Sequence, residues 1–170
     1  MKRFTTTIAV SVVLVAALLG MWFVTTPKDQ QPNSLPAPTV EVQKPATVEE
    51  LLSLVNAERA KVGVAPLVLD ERLNQSAQRK ADDMVKYNYF GHVSPNDGMH
   101  GYEYINETDI SCKTDSENIR ENEKQYNNVD IAVAAWKNSK AHREAMLDPK
   151  YKLTGFGISG TRYVEHFCEQ

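Results

Sequence analysis

The spacing of apolar residues divides the chain into three unlike parts. A continuous apolar run from Ile8 to Val24 follows Lys2 and Arg3. From Thr47 to Asn138 apolar residues recur every three or four positions, the period of a helix with one buried face. After Gly155 the spacing changes to that of strands.

Within the helical part, Thr47-Val48-Glu49-Glu50 has the form of a capping box, and Val48, Leu51, Leu52, Val55 and Val62 follow on one face until Gly63 stops the helix. Pro66-Leu67-Val68-Leu69 is a short extended link. Asp70 caps a second helix whose buried stripe is Leu73, Ala77, Ala81, Met84 and Val85, with its charges on the other side. Ser94-Pro95-Asn96-Asp97-Gly98 is a turn cluster. A third helix is expected around Val129 to Asn138, with Val129, Ala132, Val133 and Trp136 inward. Ser139 can cap a short fourth helix that carries His142 and ends before Pro149. Gly155 to Ser159, a turn at Gly160-Thr161, and Arg162 to Phe167 form a β-hairpin, and a further strand opens near Glu117. Trp136, Tyr87, Tyr89 and Phe90 are expected in the core. The pattern predicts a mixed α and β fold, a small sheet covered by helices.

The N-terminal run approaches the length that spans a bilayer. Two readings of residues 1–26 compete, a transmembrane signal anchor and a cleaved signal peptide. Poor small-residue cleavage positions, with Trp22 and Phe23 at the far interface, favour the anchor. Residues 27–46 are a proline-rich linker, and residues 47–170 form one domain. Either reading exports that domain, as a single-pass cell-membrane protein with its C-terminal part extracellular, or secreted if the segment is removed. Beyond residue 46 the chain carries 15 basic and 20 acidic side chains. Nucleic acid is therefore not an expected partner.

The two cysteines, Cys112 and Cys168, lie in the exported part. A structural disulfide is the expected state there, a reactive thiol the alternative. By chain entropy such a bridge contributes about 4 kcal/mol. It would tie the last strand to the segment before Glu117.

Imidazole and carboxylate side chains supply the candidate chemistry: His92, Glu103, Glu117 and His142, each in its own local context. Two neutral imidazoles can hold a divalent ion, zinc above others, and carboxylates can orient them; without metal the four groups would share protons. Taken singly, each histidine could merely cap or pack locally. His100 and His166 are expected on the surface, solvated or on a strand. The glycines of Gly155-Phe156-Gly157 are expected to admit close backbone approach. Asn106-Glu107-Thr108 forms a glycosylation sequon.

At Leu54-Val55-Asn56-Ala57-Glu58-Arg59, Pro66-Leu67-Val68-Leu69-Asp70, Phe90-Gly91-His92-Val93-Ser94-Pro95, Ser116-Glu117-Asn118-Ile119, Ala135-Trp136-Lys137-Asn138-Ser139-Lys140-Ala141-His142-Arg143, Met146-Leu147-Asp148-Pro149 and Gly155-Phe156-Gly157 the domain resembles the CAP superfamily, in its short bacterial, SCP-like form. The resemblance implies an α+β fold, a three-layer α-β-α sandwich with a small central antiparallel sheet. It implies a groove lined by His92, Glu103, Glu117 and His142. Glu103 takes its place by order alone, with Glu107 and Asp97 as other counterparts. Three functions are compatible with this pattern. One is a membrane-tethered module that binds a small molecule, lipid or protein in a metal-capable groove, with His92 and His142 as ligands. Another is an envelope hydrolase, metal-dependent or with a histidine and Glu103 or Glu117 in acid-base work, and a third is a structural envelope protein. No His-Glu-x-x-His helix or nucleophile elbow is present, and Ser94 has no evident oxyanion hole, so binding is preferred.

Overall fold

The computed structural model describes residues 46–124 and 128–170. The expected anchor over 1–26, and the linker as far as residue 45, lie outside them. Thr47 Oγ1 accepts the Glu50 N–H at 3.2 Å and Glu50 Oε2 accepts the Thr47 N–H at 3.3 Å, which closes the capping box that starts α1 (Val48–Lys61). Gly63, at φ +71°, supplies the left-handed turn after it. Leu51 and Val55 are fully buried, whereas Val62 is exposed because the helix has already ended. Asn56 exchanges two hydrogen bonds with the Leu67 main chain, at 3.0 and 2.8 Å. The buried Arg59 guanidinium donates to the carbonyls of Ala65, Met146, Asp148 and Tyr151. These two side chains set the course of the extended link, which forms the two-residue strand β1 (Val68–Leu69).

Asp70 then caps α2 (Glu71–Lys86) by accepting the Arg72 N–H at 3.0 Å. Leu73, Ala77, Ala81 and Met84 are fully buried as expected. Val85 is not; it is 47% exposed. The expected core aromatics are also partly outside, with Tyr87 and Phe90 exposed and Tyr89 half-buried. The helix stops at Lys86 and Asn88 turns the chain through φ 51°, so these rings belong to a loop that leaves the helix face.

A six-residue helix that the apolar pattern does not announce, α3 (Gly101–Asn106), precedes β2 (Asp115–Glu121). The remaining elements are α4 (Val129–Asn138), α5 (Lys140–Leu147), β3 (Leu153–Ser159) and β4 (Arg162–Cys168). The strands form one sheet in the order β1-β3-β4-β2. The sheet is mixed rather than wholly antiparallel, because β1 pairs parallel to β3. A connection as long as α2 to α5 permits that parallel return. The helices α1, α4 and α5 cover one face around Trp136, Phe156, Tyr163 and Phe167, while α2 and α3 cover the other. An α-β-α sandwich results. Among the described residues no helix is long and apolar enough to cross a membrane.

Two glycines fix how closely α2 approaches the sheet. A Cβ on Gly155 would lie 2.1 Å from the Leu73 carbonyl carbon, and one on Gly157 would lie 2.2 Å from the Ala77 carbonyl carbon. The helix backbone therefore rests directly on β3. From that position α2 covers an open sheet edge: Asn74 accepts the Phe156 N–H at 2.9 Å, and Gln78 accepts the Ile158 N–H and donates to its carbonyl, both at 3.0 Å. The opposite edge is β2. Cys112, just before β2, is bonded to Cys168 at the end of β4, with a Cα separation of 5.3 Å. The bridge packs with Leu73, Ile105 and Ile110.

Candidate functional site

Glu117 lies on the face of β2 that looks toward α2 and α3, opposite His166 of β4. Its carboxylate is held from two sides. Oε1 is 2.7 Å from His92 Nδ1 and Oε2 is 3.0 Å from His166 Nε2. The Glu117 side chain is only 7% exposed, and a Cβ on Gly101 would lie 2.4 Å from its carboxyl carbon, so the start of α3 closes over it. Burial alone would raise the Glu117 pKa; the bonds from His166 and His92, with the nearby Lys80 charge, outweigh it and hold the pKa at about 2. At neutral pH the group is a carboxylate.

The second imidazole is one that the sequence pattern hides. His166, expected on a strand surface, is fully buried, because β4 is covered on both faces along its whole length. Its Nδ1 lies 2.8 Å from Ser76 Oγ, and that hydroxyl is also 3.0 Å from the Leu73 carbonyl. When the Ser76 hydroxyl donates to Nδ1, the ring offers Nε2–H to Glu117; when the hydroxyl turns to Leu73, its oxygen can accept an Nδ1–H instead. Four residues further along α2, Lys80 is fully buried too, and its Nζ donates to Tyr89 Oη at 3.0 Å and to the His92 carbonyl at 3.1 Å. Burial lowers the Lys80 pKa against the attraction of Glu117. Lys80 thus pins the loop that carries His92. Ser76 and Lys80 fall within the same arc as Leu73, Ala77 and Met84, and that placement is the sequence signal that marks them as inward.

His142 stands on α5, on the other side of β2. Asn118 Nδ2 donates to its carbonyl at 3.1 Å. Its ring is half-buried, and both burial and the charge of His92 lower its pKa, so it is neutral near pH 7. His92 and His142 line one groove of about 330 Å³ that crosses the edge of β2, with Phe90, Ile119, Arg120 and Trp136. Glu103 sits in the first turn of α3 and accepts the His100 N–H at 2.6 Å. Among the described residues it makes no hydrogen bond to His92, Glu117 or His142. Glu107 pairs with Arg79, and Asp97 accepts the Met99 N–H within its turn. Ser94 is 1% exposed and its Oγ accepts the Asn96 N–H, a turn-holding arrangement. His100 is exposed and stacks on Tyr102. Among the described residues no group of three or more His, Cys, Asp or Glu is arranged to hold a metal ion.

The family model of the cysteine-rich secretory protein family, CAP, matches residues 52–168. The chain belongs to the CAP family. Its CAP domain is 39% identical over 121 residues to the uncharacterized protein YkwD of Bacillus subtilis, spanning 70% of this chain and 46% of that one. It is 33% identical over 124 residues to the uncharacterized membrane protein YlbC of the same organism, spanning 72% of this chain and 34% of that one. The chain thus spans less than half the length of these relatives. Among solved structures the fold matches an extracellular protein containing an SCP domain from Bacillus anthracis, at TM-score 0.67 and 22% identity over 75% of this chain and 45% of that one. It also matches an outer surface protein from Borrelia burgdorferi, at TM-score 0.64 and 21% identity over 72% of this chain and 91% of that one.

Proposed function

We propose that this CAP domain is an exported, membrane-tethered binding module whose ligand occupies the groove between His92 and His142. The observation that carries this reading is the Glu117 clamp. It fixes His92 through Nδ1 and leaves Nε2 for the groove, where the neutral His142 is the second imidazole. The apolar run before the linker supports the tether.

The groove suits a divalent ion only loosely. His92 and His142 would hold it, and Glu117 behind His92 is the usual carboxylate partner of a metal-bound imidazole. Two protein ligands leave the remaining positions to water or to a ligand, and the ion would act as a Lewis acid there. Zinc titration of the full-length chain by calorimetry tests this. We expect His92→Ala and His142→Ala each to weaken zinc binding at least tenfold; unchanged affinity in both removes the metal-capable groove.

One observation favours a second reading, an acid-base hydrolase: the 2.7 Å contact between Glu117 and His92 is the geometry of an orienting carboxylate behind a proton-transferring imidazole. Against a covalent route, Ser94 and Ser76 are buried and engaged. Turnover of ester or peptide substrates that vanishes in His92→Ala would establish the hydrolase.

A further inference from the structure

The two sides of the sheet are treated differently: one is β3 where it runs past the two-residue β1, the other is β2. On β3 the outward N–H groups of Phe156 and Ile158 and the Ile158 carbonyl are taken by Asn74 and Gln78, the shielding that keeps a sheet from recruiting another strand. On β2 the register is fixed by two bonds to the β4 side, Asn122 N–H to the Thr161 carbonyl and Glu169 N–H to the Thr114 carbonyl, both at 2.9 Å. Antiparallel pairing alternates, so the even-numbered residues of β2 face β4. Glu117 and Ile119 turn their N–H and C=O outward. Among the described residues neither N–H meets an acceptor on that side, and no donor reaches the Ile119 carbonyl. At Asp115 the outward carbonyl takes the Tyr151 hydroxyl, which ends the open stretch at that side.

The groove meets this edge at Ile119 and Arg120, two residues from Glu117, with Phe90 and His92 on one wall and Trp136 and His142 on the other. Arg120 has no carboxylate partner among the described residues; its Nε donates to Asn122. The carboxylates beside it are engaged, Glu117 by two imidazoles and Glu121 by Arg162. The groove lining therefore carries the Arg120 guanidinium and no carboxylate, in a chain whose net charge is −3. Outward donor and acceptor pairs repeating every second residue match one kind of ligand, an extended polypeptide backbone.

We propose that the groove takes an extended, acidic polypeptide segment that adds to β2 as a further strand, bonding the main chain of Glu117 and Ile119 while its carboxylates face Arg120. This rests on the groove being the binding site and names the class of ligand.

The test uses the full-length chain in detergent micelles and a phage-displayed library of random linear peptides. Selected sequences should be acidic and free of proline at alternate positions, and selection on Arg120→Glu should lose the acidic preference. A selected peptide, resynthesised with single N-methyl groups, should lose tenfold or more in affinity at alternate positions only. In amide exchange, the Glu117 and Ile119 N–H groups should exchange at least tenfold faster than those of Asn118 and Arg120, then become protected by the peptide. No enriched peptide, N-methyl effects without alternation, or unprotected Glu117 and Ile119 amides would each overturn the strand-addition proposal. Zinc binding that depends on the histidines, found alongside any of those results, would leave the groove reading standing; its absence would remove both.

Discussion

Acidification should unlock Glu117, and the loss can be sized. The ordinary carboxyl value is 4.5, and the folded protein holds Glu117 at about 2. A carboxylate whose folded pKa is depressed stabilises the fold fully above its unfolded value and loses that contribution as the pH falls through the folded one. The window therefore runs from about pH 5 down to about pH 2. At about 1.4 kcal/mol per pH unit the contribution is about 3 kcal/mol. With the side chain only 7% exposed, solvent screens little of it. Glu117→Gln removes the titration while keeping the shape. The amide can still serve both rings, because His166 can change tautomer when Ser76 turns its proton to the Leu73 carbonyl. Urea unfolding of the full-length chain, followed by far-ultraviolet circular dichroism from pH 6 to 2, should show the wild type losing about 3 kcal/mol more than Glu117→Gln. Parallel curves for the two proteins would refute the argument that paired imidazoles hold this carboxylate ionised.

Glu165 should behave in the opposite sense. Complete burial raises its pKa to about 8 despite bonds from Asn118 and Thr154 and the Arg59 charge, so its stabilising share is complete below pH 4.5 and declines as the pH rises toward 8. Glu165→Gln should flatten the stability profile between pH 5 and 8, read by the same urea titrations. Gly155→Ala and Gly157→Ala should each cost roughly 1–3 kcal/mol or more, since the new methyl meets the α2 backbone at 2.1–2.2 Å; the urea midpoint measures it. Cys112→Ser with Cys168→Ser should lower stability by about 4 kcal/mol, and a thiol assay on the unreduced, denatured wild type should find neither cysteine free.

The fold is legible where a local signal and a buried face agree. The Thr47 and Asp70 caps, the Leu73 to Met84 stripe and the closing hairpin are all written in residue type and spacing. The helix α3 is not, because six residues give no apolar period and its start is marked only by the turn cluster before it. Val85 and the aromatic cluster fall outside the core because the helical period does not continue past Lys86. At the site, His92 and Glu117 meet directly, and His142 shares their groove. His166 escapes a reading of the sequence for a physical reason: alternation assumes one solvated face, and β4 has none. A strand such as Arg162-Tyr163-Val164-Glu165-His166-Phe167-Cys168, whose polar residues fail to alternate cleanly with apolar ones, must satisfy each of them internally.

The unequal edges also limit how copies of this domain can assemble. A molecule with two open edges can stack through both and grow without end. With Asn74 and Gln78 closing β3 and β1 only two residues long, β2 is the long open edge among the described residues. Two copies that met there would do so about a twofold axis, each using the same strand, and the pair would have no long free edge left. Pairing through β2 would stop at a closed dimer, so a high local concentration would not convert this domain into a filament by that strand.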